Sequence, residues 1–559
     1  MIPAPPMPKS ILCAIRLVVL GALFALANGE TLRAETSATD AASKKAEGEE
    51  VYFKLNLADP KVRAEIESRG AKVVNQGPNG ELCFEATVPV DSELAGAGKG
   101  LMISFPFNVR QLRGCYVVIE GMVQGENLSK PHHLYNGAKC QAVYTSQITG
   151  QQFADGGGIY GTFPWRKSSS RFLVADDAAG GTINLGMQEC SGTVRIADVK
   201  IKILARKPVR PAPVAELDHK VTQYRGFMSP ISATVEEKDY QDMRAWGANC
   251  IRWHLDGSPA DLENYEAWLT NRLDQFEKAL NLAQANGIKI VIDLHLLPGG
   301  RETDGTMRLV LEKKYQDQLV ALWERIAKRF KDHPALWAYD LINEPVQNVS
   351  SPEGVDNWMA LQIKVAKAVR KIDTKTPIMI EVDGWDGPEG FQMLMPVDVP
   401  NVIYQVHMYW PGEFTHQGVH TNQGIALGKD VRPTAITYPG RIRDRMIDKE
   451  MLRAYLQPVR DFQRAYNIRI FVGEFSAVRW APGAAQYLDD CISIFEEYGW
   501  DWAYHAFREW HGWSAEHDEQ FWVKGTPNPA FATEETERAK VLKKAMSRNA
   551  APVAAKAKD

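Results

Sequence analysis

The sequence lacks a charge excess of one sign, a long hydrophobic run and any clustered cysteine pair, and each absence excludes a class of protein. Lysine and arginine (65) nearly balance aspartate and glutamate (69), so the formal net charge is only −4. Without a basic stripe that could neutralise phosphates or anionic lipids, we expect neither nucleic acid nor a membrane surface as a partner. The cysteines never stand in the Cys-x-x-Cys spacing typical of a zinc site.

The composition that remains is that of an ordinary folded protein. Hydrophobic residues make up 45% of the chain and charged residues 24%, which is close to the average for globular proteins. At roughly 100 to 200 residues per domain, and about 250 or more for a single barrel, a length of 559 residues suggests two domains with flanking segments.

The N-terminus has the pattern of a secretory signal peptide. Lys9 and Arg16 precede an apolar run over 17–27 that ends in small residues suited to signal peptidase. An uncleaved membrane anchor is the alternative, but the run is well short of the roughly 20 residues that span a bilayer. We therefore predict a signal peptide over 1–27, a flexible leader over 28–48, and a secreted or periplasmic protein that is free of the membrane after cleavage. Cys13 would leave with the signal, and the six remaining cysteines permit disulfides without requiring them.

Beyond the leader, the local residue patterns of the sequence predict two domains. Short β-rich segments between glycine-rich turns, such as 82–88, 115–121 and 193–203, favour an all-β sandwich over 49–205. Three prolines within 206–213 indicate an extended linker, which we bound at 206–220. The last residues, 548–559, are rich in alanine and lysine and are predicted to be a disordered tail.

Strand-like and helix-like stretches alternate over 221–547, a pattern typical of α/β domains with a parallel sheet. Such repetition in one domain predicts a (β/α)8 TIM barrel, with an open doubly wound sheet as the weaker alternative. The predicted strands are 224–228, 249–254, 288–295, 336–342, 378–382, 402–408, 468–473 and 502–507.

Polar residues follow six of these strands, at the face where barrel enzymes hold their active sites. Among them, Glu344 stands at the tip of the fourth strand and Glu474 at the tip of the seventh. Cleavage of a glycosidic bond needs two such carboxyl groups, one to protonate the leaving oxygen and one to attack or support the anomeric carbon. A separation of about 5 to 5.5 Å indicates a covalent intermediate, whereas roughly 6.5 to 9.5 Å leaves room for an inverting water.

The motifs Asn343-Glu344-Pro345 and Gly473-Glu474-Phe475 resemble those of glycoside hydrolase family five, a cellulase-like family in the clan of retaining (β/α)8 glycosidases. The resemblance covers most of 221–545, and it implies that Glu344 is the acid/base and Glu474 the nucleophile. It further implies that residues near both carboxylates bind the substrate or orient the nucleophile. These residues are Arg252, His295, Asn343, His407, Tyr409 and Trp510.

The charges of the neighbouring residues agree with these roles. A nucleophile must stay ionised, which the Arg252 cation and a hydrogen bond from the Tyr409 hydroxyl both favour. The acid must hold its proton, which the negative charge of Glu474 favours at Glu344 until the nucleophile is glycosylated.

Other catalytic chemistries find less support in the sequence. His254, Asp293, His295 and His407 lie near strand ends, but no His-Glu-x-x-His motif is present, so we expect no metal and no other cofactor. A serine nucleophile is disfavoured because the Gly-x-Ser-x-Gly elbow is absent from the sequence.

The sequence therefore predicts a monomeric retaining glycoside hydrolase whose partner is a β-linked polysaccharide or oligosaccharide, with β-1,4-glucan as the first choice. The alternatives are a β-mannanase, an exo-acting β-glucosidase, and a non-catalytic carbohydrate-binding barrel. Endo or exo action depends on connections such as the long loop 411–439. The first domain resembles a carbohydrate-binding module with Tyr135, Tyr160 and Trp165 as surface candidates, and a structural role is its alternative.

Overall fold

The computed structural model describes residues 50–133, 135–154, 159–215, 217, 222–228, 236–419, 435–522 and 526–549. The predicted signal peptide and leader lie outside these residues, as do 420–434 within the predicted 411–439 loop and 550–559 of the predicted tail. The first two residues of the predicted tail, Arg548 and Asn549, are described, and the Asn549 side-chain amide donates to the Gly247 carbonyl at 2.7 Å. The described chain divides into two compact units, with the boundary between Pro208 and Val209.

The unit that precedes the boundary is built from antiparallel strands. The strands are β1 (Glu50–Lys54), β2 (Lys72–Val74), β3 (Cys83–Val88), β4 (Gly100–Pro106), β5 (Tyr116–Leu128), β6 (Gly137–Ser146), β7 (Gly150–Ala154), β8 (Gly161–Leu173), β9 (Ala179–Gln188) and β10 (Gly192–Ala205). In the described residues of this unit, one sheet has six strands in the order β2-β3-β10-β5-β8, with β1 beside β10, and the other has four in the order β4-β9-β6-β7. The helix α1 (Pro60–Ser68) follows β1.

Both sheets contribute to one hydrophobic core, because apolar side chains recur at alternate positions of their strands. Ile119 and Ile196 enter it from the first sheet, and Ile183 and Leu185 enter it from the second. The opposite face of the first sheet carries charge instead. There Glu120 contacts the ammonium groups of three lysines, which are Lys167, Lys200 and Lys202.

The second unit contains the predicted barrel. Among the described residues, eight parallel strands pair in chain order and close on themselves, so the (β/α)8 prediction is confirmed and the open sheet is excluded. A small antiparallel hairpin, β17 with β18, lies between the sixth and seventh barrel strands in the chain. The strands are β11 (Arg225–Met228), β12 (Cys250–His254), β13 (Lys289–Asp293), β14 (Leu336–Asp340), β15 (Ile378–Ile380), β16 (Val402–Met408), β17 (Gly440–Ile442), β18 (Arg445–Ile447), β19 (Ile470–Phe475) and β20 (Asp501–Tyr504).

Amphipathic helices connect the barrel strands. In α7, for example, Leu452, Leu456, Val459 and Phe462 recur at helical spacing and are buried. The Asp448 carboxylate caps this helix by accepting from the Met451 amide at 3.0 Å. The helices are α2 (Glu237–Ala245), α3 (Tyr265–Ala285), α4 (Lys313–Phe330), α5 (Trp358–Arg370), α6 (Gly412–Thr415), α7 (Lys449–Tyr466), α8 (Ala484–Tyr498) and α9 (Glu537–Met546), with short 3-10 turns at Glu93–Ala95, Val109–Leu112, Pro259–Leu262, Arg308–Val310 and Pro388–Gln392.

The interior of the barrel changes from apolar to charged along the strands. Cys250, Val291, Ala338, Met379 and Ala503 belong to one buried apolar cluster. Because side chains on a strand alternate with a period of two, the residue two positions after each of these cluster residues points into the same interior. Those next residues are Arg252, Asp293, Asp340, Glu381 and His505. The strands thus place a layer of ionisable groups at the end of the barrel where their carboxyl ends lie.

Two further expectations concern membranes and disulfides. Within the described part of the chain, no helix combines the length and the apolar character needed to cross a membrane. Cys83, Cys115, Cys190, Cys250 and Cys491 are buried thiols, so the disulfides that the even cysteine count permitted do not form among them.

Candidate active site

Glu474 lies near the end of β19 and is bound on both carboxylate oxygens. The Arg252 guanidinium donates to its Oε1 at 2.7 Å, and the Tyr409 hydroxyl donates to its Oε2 at 2.9 Å. Burial alone would raise the pKa of Glu474, but the positive charges of His407, His505 and Arg252 outweigh it and hold that pKa well below its usual range. Glu474 is therefore an ionised carboxylate at neutral pH.

Arg252, on β12, is fully buried and holds several strand ends together. Beyond Glu474, its Nε donates to Asp340 Oδ2 at 2.9 Å, and its Nη2 contacts Glu381 Oε1 at 2.9 Å and Asp293 Oδ1 at 3.2 Å. One cation cannot balance all of these carboxylates in a dry interior. Burial accordingly raises the pKa of Asp340 despite the nearby Arg252, and it raises the pKa of Glu381 well above its usual value.

Glu344 follows β14 in a strained backbone conformation. Its φ of +47° lies in the left-handed region, which a non-glycine residue occupies only when its surroundings enforce it. Two contacts do so here: its amide donates to Glu381 Oε2 at 2.6 Å, and its carbonyl accepts from Arg301 Nη2 at 2.9 Å. The strained turn directs the side chain toward His407, whose Nδ1 lies 3.0 Å from Glu344 Oε1.

The two glutamates face each other across a short gap. One carboxylate oxygen of Glu344, one of Glu474 and a ring nitrogen of His407 all lie within 4.8 Å of one another. Such a close approach of the nearest oxygens fits carboxyl groups about 5 to 5.5 Å apart better than the separation of roughly 6.5 to 9.5 Å that leaves room for an inverting water. The same three residues could ligate a metal ion, as could Glu381, Asp386 and His407, but Glu474 is already bound by Arg252 and Tyr409.

Asn343 and His295 line the same region just beyond the ends of β14 and β13. The side-chain oxygen Oδ1 of Asn343 accepts from Arg252 Nη2 at 2.8 Å, so the side-chain nitrogen Nδ2 faces His295, whose Nε2 lies 3.5 Å away. His295 is in turn bound by Asp293, with 2.9 Å between Nδ1 and Oδ2. Burial would lower the pKa of His295, but the Asp293 carboxylate raises it well above the usual value.

Trp510, the remaining predicted site residue, packs against other tryptophans. Its ring packs on Trp480 and Trp513, with centroid distances of 5.9 and 5.5 Å. Trp513 is the tryptophan that contacts the site, because its ring centroid lies 5.9 Å from Tyr409 and 5.8 Å from His505. The residue that directly follows β20 is His505, so a histidine occupies the strand-eight position next to Tyr409.

The sequence interpretation missed several residues of the site. Asp340, Glu381 and His505 each stand two positions beyond a buried apolar residue of a barrel strand, so the strand alternation would have revealed them. Arg301 and Gln405 carry weaker signals. Arg301 lies in the connection after β13, and Gln405, which donates to Glu381, reads as one polar residue within an apolar strand.

A parallel barrel with two opposed carboxylates at the carboxyl ends of its strands is the framework of a carbohydrate-cleaving enzyme. The family model described as Cellulase (glycosyl hydrolase family 5) matches residues 214–511, which is more than half of the chain. The chain therefore belongs to glycosyl hydrolase family 5, and it is an O-glycosyl hydrolase.

Curated relatives are similar to the barrel region. Endoglucanase C of Acetivibrio thermocellus is 25% identical over 303 residues, covering 50% of this chain and 85% of the relative. Cellodextrinase A of Ruminococcus flavefaciens is 24% identical over 255 residues, covering 44% and 69%. Among solved structures, an endoglucanase of Thermotoga maritima is 22% identical with a TM-score of 0.41, covering 52% of this chain and 91% of its own.

Proposed function

We propose that the protein is a retaining endo-acting glucanase that cleaves β-1,4-glucan by double displacement, with Glu474 as the nucleophile and Glu344 as the acid/base. The observation that carries the proposal is the short gap between the two carboxylates in a barrel of glycosyl hydrolase family 5. One oxygen of Glu344 and one of Glu474 lie within 4.8 Å of each other. The choice of β-1,4-glucan is supported by the curated relatives described as endoglucanases.

In the first step, a carboxylate oxygen of Glu474 attacks the anomeric carbon while Glu344 gives its proton to the glycosidic oxygen. The bond between that carbon and that oxygen breaks, and the released sugar leaves as an alcohol. Ionisation of Glu474 is favoured by Arg252 and Tyr409, which donate to its two oxygens.

In the second step, Glu344 takes a proton from water, and the water oxygen attacks the same anomeric carbon. The ester bond to Glu474 breaks, so the carboxylate and the protonated acid are restored. The strained turn that Glu381 and Arg301 hold keeps Glu344 within reach of both leaving group and water. His407, 3.0 Å from Glu344, would fix the orientation of its carboxyl group.

The remaining predicted residues would bind the sugar before the scissile bond. The Asn343 side-chain amide is suited to donate to the 2-hydroxyl, and His295 beside it to contact the same ring. Trp510 would form part of the wall further out, since Trp513 separates its ring from Tyr409. The intermediate exposure of Trp385, 5.1 Å below the Arg301 guanidinium, supports a second aromatic wall near Glu344.

For the N-terminal unit, we propose a β-sandwich over 49–205 that binds carbohydrate and concentrates the barrel on its substrate. The partly exposed rings of Tyr135 and Tyr160 support a sugar-binding surface. The double variant Tyr135→Ala, Tyr160→Ala should bind insoluble cellulose more weakly than the unaltered protein. Equal binding by the two proteins would contradict this role.

We also propose export by the N-terminal signal, which N-terminal sequencing of the protein from its native host tests directly.

Hydrolysis assays with matched variants test the catalytic proposal. We expect release of reducing sugar from carboxymethylcellulose or mixed-linkage β-glucan, and a fall of about a thousandfold or more in both Glu344→Gln and Glu474→Gln. Glu266→Gln, an exposed glutamate on α3, is the control and should retain full activity. Stronger activity on glucomannan would favour the mannanase alternative, and full activity in either site variant would refute the assignment.

A further inference from the structure

We propose that His505 and Glu509 form a positioning pair, in which the doubly protonated ring of His505 directs the single proton of the Tyr409 hydroxyl onto Glu474. The inference rests on the proposed function, because it concerns the same nucleophile. It adds a role for His505 and Glu509, which follow the eighth barrel strand and are neither the acid/base nor the nucleophile.

The contacts form a chain that ends at the nucleophile. His505 Nε2 lies 2.9 Å from Glu509 Oε2, and His505 Nδ1 is hydrogen-bonded to the Tyr409 hydroxyl. That hydroxyl lies 2.9 Å from Glu474 Oε2, while His505 Nδ1 itself lies 3.7 Å from the same oxygen. Trp513 covers the chain, so His505 is largely shielded from solvent, with 13% of its side chain exposed.

A count of protons decides which form of His505 fits this chain. The Tyr409 hydroxyl carries one hydrogen but lies between two groups, His505 Nδ1 and Glu474 Oε2. If Nδ1 carries no hydrogen, it is an acceptor and competes with Glu474 for the tyrosine proton. If the one hydrogen of a neutral ring is on Nδ1, Nε2 is an acceptor and cannot donate to the Glu509 carboxylate 2.9 Å away. If His505 is an imidazolium, both of its nitrogens donate, one to Glu509 and one to Tyr409, and the tyrosine proton is left for Glu474.

The surrounding charges favour the imidazolium. Burial opposes it, but the carboxylates of Glu509 and Glu474 outweigh burial and the repulsion from His295, so the pKa of His505 is raised above its usual value. Burial and the charge of Glu474 also raise the pKa of Tyr409 well above its usual value, so this residue remains a proton donor.

Loss of the His505 proton should therefore weaken the nucleophile at high pH. The need for a general acid normally obscures such an effect, because a general acid must be protonated to assist departure of the leaving group. A dinitrophenyl β-cellobioside removes this complication, since its leaving group departs without a proton. In a Glu344→Gln background, the alkaline fall of kcat/KM on this substrate should then report on His505.

The decisive comparison adds Glu509→Gln to the Glu344→Gln background. Without the carboxylate partner, the midpoint of the alkaline fall should move down by about one pH unit or more. Addition of His505→Gln should remove this fall, because the glutamine amide donates at every pH. His133→Gln, which alters a histidine bound to Glu189 in the N-terminal unit, is the matched control and should leave the midpoint unchanged. An unchanged midpoint in the Glu509→Gln variant would overturn the proposal.

A nitrogen NMR titration of the wild-type protein tests the pair independently of catalysis. The His505 ring, assigned by its loss in His505→Gln, should lose its second proton at a pH above the usual value for histidine, and at a lower pH in Glu509→Gln. Loss of that proton in the wild type at or below the usual pH would overturn the proposal even in an active enzyme. Failure to cleave the β-cellobioside, with the expected titration intact, would refute the glucanase function and leave the pair standing.

Discussion

At Arg252, a single guanidinium joins the nucleophile to three other barrel strands through Asp293, Asp340 and Glu381. Removal of such a partner would leave buried charges uncompensated, so Arg252 contributes to folding as well as to the charge state of Glu474. A substitution there changes both at once. Tyr409 separates the two effects better, because its hydroxyl acts on the nucleophile without balancing a net charge.

Tyr409→Phe should shift the acidic limb of activity. Activity requires ionised Glu474, so kcat/KM is lost as the pH falls through the pKa of that carboxyl. Removal of a donor to the ionised form raises this pKa, and the acidic limb should move to higher pH by about half a unit or more, with kcat reduced roughly 10- to 100-fold. A pH profile on mixed-linkage β-glucan measures both. An acidic limb at the wild-type pH would contradict the contact between Tyr409 and Glu474 that the structure describes.

At the scale of strands and helices, the sequence predicted where each barrel strand lies but not which residues project inward beyond its end. The predicted fourth strand ran to Ile342, whereas β14 ends at Asp340. Periodicity locates a strand because the alternation of apolar and polar residues lies within one short segment. The packing of a strand end depends instead on neighbouring strands that are distant in the sequence. The resemblance assigned roles to Arg252 and Tyr409, whereas Glu381 and His505 lie on strand ends without a motif. Only the alternation along their strands points to these two residues, and the structure identified them as part of the site.

In the N-terminal unit, Glu120 joins β5 to β8 and β10 through three lysines. Burial would raise the pKa of Glu120, but Lys167, Lys202 and Lys200 lower it to about 2. A carboxyl group with a depressed pKa stabilises the fold above its unfolded value near 4.3, and that contribution is lost as the pH falls toward 2. Glu120→Gln should therefore cost about 1 to 2 kcal/mol at pH 7 and little at pH 2, after allowance for the exposed Lys167.

Hydrogen exchange of the amides in β5, β8 and β10 measures this loss in the intact protein. Glu126→Gln, on the same strand, is the control, because Glu126 is 55% exposed and pairs with Arg195 at the surface. It should change the exchange rates little at any pH. An equal effect of Glu120→Gln at pH 7 and pH 2 would show that shape, not charge, accounts for the contribution of Glu120.

At the scale of the whole molecule, the two units differ in how far their sequences reveal their function. The family match spans 214–511 and so falls within the barrel unit, whereas the strands of the N-terminal unit precede it. A barrel active site gathers residues from many strand ends, and such a constellation leaves motifs in the sequence. A binding face on a sheet needs only a few exposed rings, so Tyr135 and Tyr160 carry little signal against ordinary surface aromatics.

Retention of configuration is the outcome that depends most on the proposed roles of Glu344 and Glu474, whose nearest carboxylate oxygens lie within 4.8 Å of each other. Proton NMR of the anomeric region during the first minutes of β-glucan or cellodextrin hydrolysis tests retention before the free sugars interconvert. We expect the new reducing end to appear first as the β anomer, with the α anomer growing in later by mutarotation. Initial release of the α anomer would mean inversion, and it would contradict both the covalent intermediate and the role assigned to Glu474.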